Sequence, residues 1–274
     1  MKPTTLKGAF MFIRSTILRS PHAFATRRGG VSELEHTKSL NLAFGRGDSD
    51  ETVLKNLEIF AKNVGFDPQN VISLPQIHSD IIYKVDSSDC GKGYFIREGV
   101  ESGDGYITDR EGVVLGVKTA DCVPIFFEAE QNGKVVAVGA VHAGWRGTVA
   151  GIAPKCVAML CETYGVLTSQ IRVAIGPCIH QCCYEVGEDL LAAARDALGD
   201  EISSKFITPK VGAEGKYLCD LVGLNCYLLT KNGVLSENLD VIDKCTCCEP
   251  SLFFSHRYSR GLRGTMLNVI FVQN

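Results

Sequence analysis

The chain has 274 residues, 45% of them apolar and 22% charged, with a formal net charge of −3. These are the proportions of a globular protein long enough to bury a full core, and they exclude collagen, coiled coil and wholesale disorder. No apolar run approaches the roughly 18 residues of a spanning helix, and the charge balance leaves no basic footprint for nucleic acid or anionic lipid.

Lys2 and Lys7 precede the short run Phe10-Met11-Phe12-Ile13, and Arg14 and Arg19 follow it, which is not the layout of a signal peptide. Twelve cysteines fall below the density of a disulfide scaffold. The expectation is a cytoplasmic protein with reduced thiols, a monomer or homodimer, with neither nucleic acid nor a membrane as partner.

The first 50 residues are rich in turns, including Arg28-Gly29-Gly30 and Gly45-Arg46-Gly47-Asp48. Asp50 to Val64 reads as a helix capped by Asp50, with Val53, Leu54, Leu57 and Phe60 on one face and Gly65 past its end. Strands are expected over Gly112 to Lys118, Val123 to Phe127 and Lys134 to Val141, the last two joined by the hairpin signal Asn132-Gly133. Their near-continuous apolar composition predicts burial on both faces. Thr148 to Tyr164 reads as one helix, Ile171 to Ile175 as a strand, Glu188 to Leu198 and Asp220 to Lys231 as helices. Leu239 to Ile242 and Thr265 to Val272 read as closing strands. Strands and helices alternate but hairpins also occur, so the fold class is α/β (α+β): one domain over 1–274, with mixed sheets covered by helices in an α/β/β/α layering.

Chemistry-bearing residues gather at strand ends. The segments are Gln76-Ile77-His78-Ser79, Thr119-Ala120-Asp121-Cys122-Val123-Pro124 and Val141-His142-Ala143-Gly144-Trp145-Arg146-Gly147. A hairpin through Asn132-Gly133 brings Cys122 and His142 to one end. Spacing alone leaves open whether such a pair holds a metal, acts as nucleophile and base, or is merely satisfied polar structure. Gly45-Arg46-Gly47-Asp48 lacks the Gly-Lys-Ser/Thr of a P-loop and reads as a surface turn. Cys178, Cys182 and Cys183, with Cys245, Cys247 and Cys248, lack repeated Cys-x₂-Cys spacing and read as buried or incidental thiols. Trp145 divides evenly between core packing and a purine stack.

Taken in order, several motifs add to these three segments. They are His22–Ser32, Ser39-Leu40-Asn41-Leu42, Gly103-Asp104-Gly105, Ile175-Gly176-Pro177-Cys178-Ile179, Cys183-Tyr184-Glu185-Val186, Cys245-Thr246 and Phe253-Phe254-Ser255-His256-Arg257. Together they resemble the multicopper polyphenol oxidase (laccase)-domain family. That family is also described as a purine nucleoside phosphorylase family and as the peptidoglycan editing factor family. The likeness runs nearly end to end. It departs at Tyr258, where the family carries a second arginine, and at Arg263-Gly264, which reverses the family's Gly-Arg step; no substrate contact is assigned to a C-terminal arginine on this ground.

The resemblance implies a Zn²⁺ ion held by His78, Cys122 and His142, one per chain, with Cu²⁺ as the alternative ion. These three are then also the catalytic residues, and a three-ligand site keeps a position for water or substrate. The remaining histidines, His22, His36, His180 and His256, receive no metal role. The implied activity is phosphorolysis of adenosine, inosine and methylthioadenosine, with adenosine deaminase activity. Purine nucleosides and phosphate are the expected partners. Arginine's planar fork suits phosphate, so Arg27, Asn41 and Arg146 are the substrate-binding candidates. Asp104, Asp121 and Glu185 are the candidate acid/base carboxylates for deamination. Two other readings remain: a Cys122–His142 amidase that edits cell-wall precursors, and a copper polyphenol oxidase, which six histidines supply poorly.

Overall fold

The computed structural model of the chain describes residues 10–273; Lys2 and Lys7 lie outside them. In chain order, β1 (Phe12–Ile13) and β2 (His22–Ala25) precede α1 (Asp50–Val64), β3 (Val71–Ile72), β4 (Ile82–Lys84), β5 (Gly105–Thr108) and β6 (Val114–Thr119). The long hairpin β7 (Val123–Gln131) and β8 (Lys134–Ala143) follows, then α2 (Trp145–Val149), α3 (Ile152–Tyr164) and β9 (Ile171–Ile175). Next come β10 (Glu185–Val186), α4 (Glu188–Leu198), α5 (Asp200–Phe206), β11 (Ile207–Pro209) and β12 (Tyr217–Cys219). The chain closes with α6 (Leu221–Lys231), β13 (Leu239–Val241) and β14 (Met266–Phe271).

The strands make a five-stranded sheet, β1-β2-β14-β6-β3, a six-stranded sheet, β13-β9-β7-β8-β5-β4, and a small antiparallel sheet, β10-β12-β11. Both large sheets are mixed: β3 joins β6 in parallel, and so do β13 with β9 and β4 with β5, while the other pairings are antiparallel. Side-chain alternation explains the layering. On the hairpin, Ile125, Phe127, Ala137 and Val141 face a core shared with α3, α4 and α6. Phe126, Val138 and Ala140 face the other way, against Phe24, Leu115, Val117 and Ile270 of the five-stranded sheet. Phe24 stacks on Phe126 with centroids 4.4 Å apart. On the far side of that sheet, Val53, Leu57, Phe60 and Val64 of α1 cover Ala23, Val114 and Val269. The order is helix, sheet, sheet, helices, as expected, in a single mixed α/β domain.

Local chemistry sets the element ends. Asn132 (φ 53) and Gly133 (φ 78) form the tight turn of the β7–β8 hairpin. Helix α1 is capped by Ser49, one residue before the expected Asp50; its side chain accepts from Thr52 N, and Asp50 and Glu51 then favour the positive helix end. The helix expected over 148–164 is two helices. Gly151 turns left-handed (φ 81) between them. Pro154 could not donate to residue 150 in a continuous helix, and its ring would strike that carbonyl.

Candidate active site

His78, Cys122 and His142 come together at one end of the hairpin. Pro124 pairs with His142 and Val123 with Ala143, so Cys122 lies at the mouth of the ladder beside the histidine. His78 arrives from the loop between β3 and β4. Their donor atoms all lie within 4.8 Å of one another. Cys122 Sγ is 3.8 Å from His78 Nε2, and the two imidazoles meet edge to face at 4.9 Å.

Asp104 organises this constellation. Fully buried, it accepts backbone N–H bonds from Ile77 (3.2 Å), His78 (3.0 Å) and Ser79 (2.7 Å), the Ser79 hydroxyl (2.7 Å), and His142 Nδ1 (2.8 Å). Since an ionised carboxylate only accepts, Nδ1 of His142 carries a proton, and in the neutral ring it is Nε2 that offers the lone pair. Burial alone would raise the Asp104 carboxyl, but the bonds from His142 and Ser79 hold it at about 2. Asp104 is thus ionised and fully engaged, and its expected part as an acid/base carboxylate gives way to positioning.

Two residues hold left-handed backbone here, His78 of the site itself (φ 60) and Asp121 beside Cys122 (φ 101). Such conformations persist only where neighbours fix them. Asp121 is fixed by Thr246 Oγ1 (2.6 Å) and Arg257 N (2.7 Å) on its carboxylate, and by Ile179 N (2.8 Å) on its carbonyl. Both carboxylate oxygens are used, which leaves Asp121 a brace. Glu185 is ion-paired with Lys210 on the small sheet. At Gly144, a Cβ would stand 2.7 Å from His78 Cδ2 and 3.5 Å from both Cys122 Sγ and His142 Cε1. Only hydrogen leaves room for the three donors.

Burial by itself would raise the Cys122 thiol, yet the charge of His142 and the hydrogen bonds from His142 and His78 bring it down to about 6. Burial would lower His142; the facing Cys122 charge and the Asp104 hydrogen bond push it up to about 9. Thiolate and imidazolium stabilise each other.

Two clefts of 290 and 340 Å³ meet at His78 and Cys122, together within the range of small-molecule sites. The first is lined by Phe44, Arg46, Lys118 and Arg263, with no Asp or Glu among its lining residues. Burial, with Arg46 adding like charge, lowers Lys118 to about 8 and Arg263 to about 10. Arg263 Nε is buried without a hydrogen-bond partner among the described residues. The second cleft is walled by Ile179, Tyr184, His256 and Arg257.

The three substrate-binding candidates lie elsewhere. Arg27 donates to the carbonyls of Lys38, Pro250 and Glu35 and packs on the Phe254 ring. Asn41 is fully buried; its amide donates to Ala43 O and Asp48 and accepts from Ala43 N and Thr265 N. Arg146 lies over Trp145 at 4.1 Å on α2, and neither residue lines either of these two clefts. The cationic residues that do face the site escaped sequence reasoning. Arg46 sits in the presumed surface turn, Arg263 in the segment that departs from the family pattern, and Lys118 alone in the apolar run Val114–Thr119. That lone lysine in a buried strand was the one available signal.

A family model described as multi-copper polyphenol oxidoreductase laccase matches residues 21–273. The chain belongs to this family. Purine nucleoside phosphorylase YlmD of Geobacillus stearothermophilus is 37% identical over 246 residues, covering 89% of this chain and 87% of that one. Adenosine deaminase RL5, from an unknown prokaryotic organism, is 35% identical over 86% of this chain and 87% of its own. The crystal structure of YlmD from Geobacillus stearothermophilus superposes with a TM-score of 0.85 at 34% identity, covering 96% of this chain and 99% of that chain.

Proposed function

We propose that this nucleoside-processing enzyme is a zinc-dependent purine nucleoside phosphorylase acting on adenosine, inosine and methylthioadenosine, with adenosine deaminase activity. The observation that carries the reading is the convergence of two imidazoles and a thiol within 4.8 Å beside a cleft edged by three cationic side chains. The donor set suits Zn²⁺: nitrogen and sulfur ligands, three in number, from separate segments. A bound zinc ion supplies Lewis acidity, and it lowers the pKa of water toward neutrality.

The chain's own residues do the remainder. Asp104 keeps the proton on His142 Nδ1 and so presents Nε2. In this reading Arg46, Lys118 and Arg263 bind phosphate, in place of Arg27, Asn41 and Arg146, whose polar groups serve other partners or lie off the clefts. Phosphorolysis forms a bond from a phosphate oxygen to C1′ and breaks C1′–N9, the purine leaving with a proton. In deamination, water adds at C6 and ammonia departs. Phe44, lining the same cleft, offers the base apolar contact. Incubation of adenosine and inosine with and without phosphate tests the proposal. Free base and ribose-1-phosphate are expected only with phosphate, and inosine from adenosine in both cases. Rates no higher than those of Cys122→Ala would contradict it.

A second reading follows from the alignment Cys122, His142, Asp104, which is also that of a nucleophile, a base and an orienting carboxylate. In an amidase editing cell-wall precursors, Cys122 Sγ would bond the acyl carbon as the C–N bond breaks, His142 would pass the thiol proton to the leaving amine, and water would then hydrolyse the thioester. A multicopper oxidase needs further histidine clusters. Among the described residues, the groups of three or more metal-type donors contain just two histidines, His78 and His142.

A further inference from the structure

The thiols read as incidental converge where the turn after β9 crosses the turn after β13. Cys182 Sγ lies 3.8 Å from Cys183 Sγ, 3.8 Å from Cys245 Sγ and 3.6 Å from Cys248 Sγ, and Cys183 and Cys248 are 3.4 Å apart. All four sulfurs fall within 4.8 Å of one another. Sulfurs bound at about 2.3 Å to one tetrahedral zinc stand about 3.8 Å from each other. The cluster is therefore a tetrahedron of nearly the required size, too small to enclose a multi-iron cluster. Cys245 and Cys248 form a Cys-x₂-Cys knuckle, and Cys245 Sγ accepts the backbone N–H of His180 at 3.4 Å, a donor that favours thiolate.

We propose that Cys182, Cys183, Cys245 and Cys248 hold a second zinc ion in a closed all-sulfur site. Each thiol gives its proton to solvent as the Zn–S bond forms. Four protein ligands leave no position for substrate, so the ion is structural. What it fastens is the cleft wall. The Cys178–Cys183 segment carries Ile179 and continues into Tyr184, both lining the second cleft. The Cys245 turn carries Thr246, which bonds Asp121, the residue before Cys122. Arg257 spans the same corner, donating to the carbonyls of Cys183 (3.1 Å) and Glu185 (2.7 Å). One ion at this crossing locks two loops that together set the backbone at Cys122.

Elemental analysis of untagged protein purified under reducing conditions tests the proposal without reference to activity. Two zinc ions per chain are expected in the wild type and one in Cys182→Ser/Cys248→Ser, with a lower Tm. His78→Ala/His142→Ala provides a second arm that does not depend on the cysteine variant folding. It should keep one zinc, with a sulfur-only shell near 2.3 Å by X-ray absorption. Loss of all metal from this histidine variant, nitrogen in its remaining shell, iron in place of zinc, or a disulfide among the four cysteines in freshly purified protein would overturn the proposal. One zinc in both the wild type and the histidine variant would instead sink the three-ligand reading and leave the tetrathiolate site standing.

Discussion

Two groups of metal-type side chains stand on either side of Asp121, and they are built on opposite plans. At the mouth of the hairpin, three donors of mixed kind face a cleft lined by Arg46, Lys118 and Arg263. At the crossing of the two turns, four sulfurs face one another. The first group keeps one side open and surrounds itself with positioning groups: Asp104 on His142, Gln76 clamped to both backbone groups of Lys118, and Gly144 clearing the space. The second closes on itself. Ligand number and openness, more than ligand identity, separate a site that reacts from a site that braces.

That contrast can be broken from either side. The largest effect is expected at the open site, where His78→Ala should remove its bound ion and both activities together, down to the uncatalysed background. Metal content and product formation measured on the same sample check this. Gly144→Ala forces a Cβ toward His78 Cδ2, and a displacement of about 1 Å there should cost about 100-fold in kcat. Asp104→Asn keeps the shape but turns one of the two accepting oxygens into an NH2 donor, which must then face either His142 Nδ1–H and His78 N–H or the N–H groups of Ile77 and Ser79. It should lower metal affinity or kcat by about 10–100-fold, while zinc at the four-cysteine site stays put.

Smaller effects sharpen the division within the open site. Arg263→Ala and Lys118→Met each remove a charge-assisted contact worth roughly 1.5–3 kcal/mol. The phosphate KM should rise at least about tenfold, with hydrolytic deamination spared. Equal losses in the two reactions would mean the cationic cleft does not bind phosphate. Lys118 has a lowered pKa of about 8, so it is charged below that pH and neutral above it. The phosphate KM should therefore climb as pH passes about 8, and that limb should vanish in Lys118→Met. The smallest effect belongs to Arg146→Ala. The guanidinium lies on Trp145, a contact worth about 0.5–1 kcal/mol at an exposed position, and both reactions should change by less than about threefold.

The hairpin was legible because its turn residues, Asn132 and Gly133, carry a conformational demand that few other pairs meet. With it came the meeting of Cys122 and His142. Helix 188–198 was legible for a similar reason, from its apolar spacing and the glycine that ends it. The break near Gly151 was hidden because apolar residues continue at helical spacing across it, and only Pro154 betrays the interruption. The cationic cleft was illegible for another reason. Arg46, Lys118 and Arg263 come from three distant segments, and their convergence depends on β6 pairing with β14, which no local pattern specifies. The same holds for the cysteines: Cys245-x₂-Cys248 was visible, but its partners Cys182 and Cys183 are neighbours in sequence and offer no knuckle of their own.

The proposed function requires Cys122 to be a metal ligand in the working enzyme rather than a free nucleophile. The rate at which Cys122 is alkylated, followed by mass spectrometry alongside activity, tests it most directly. A sulfur bonded to zinc is shielded, whereas a nucleophile must be free and reactive at neutral pH. Cys122 should resist alkylation in active protein and become reactive once a strong chelator has removed both metal and activity, with zinc restoring activity to the unmodified fraction. Rapid alkylation of Cys122 in fully active enzyme, or undiminished activity after complete metal removal, would contradict the account and favour the Cys122–His142 amidase.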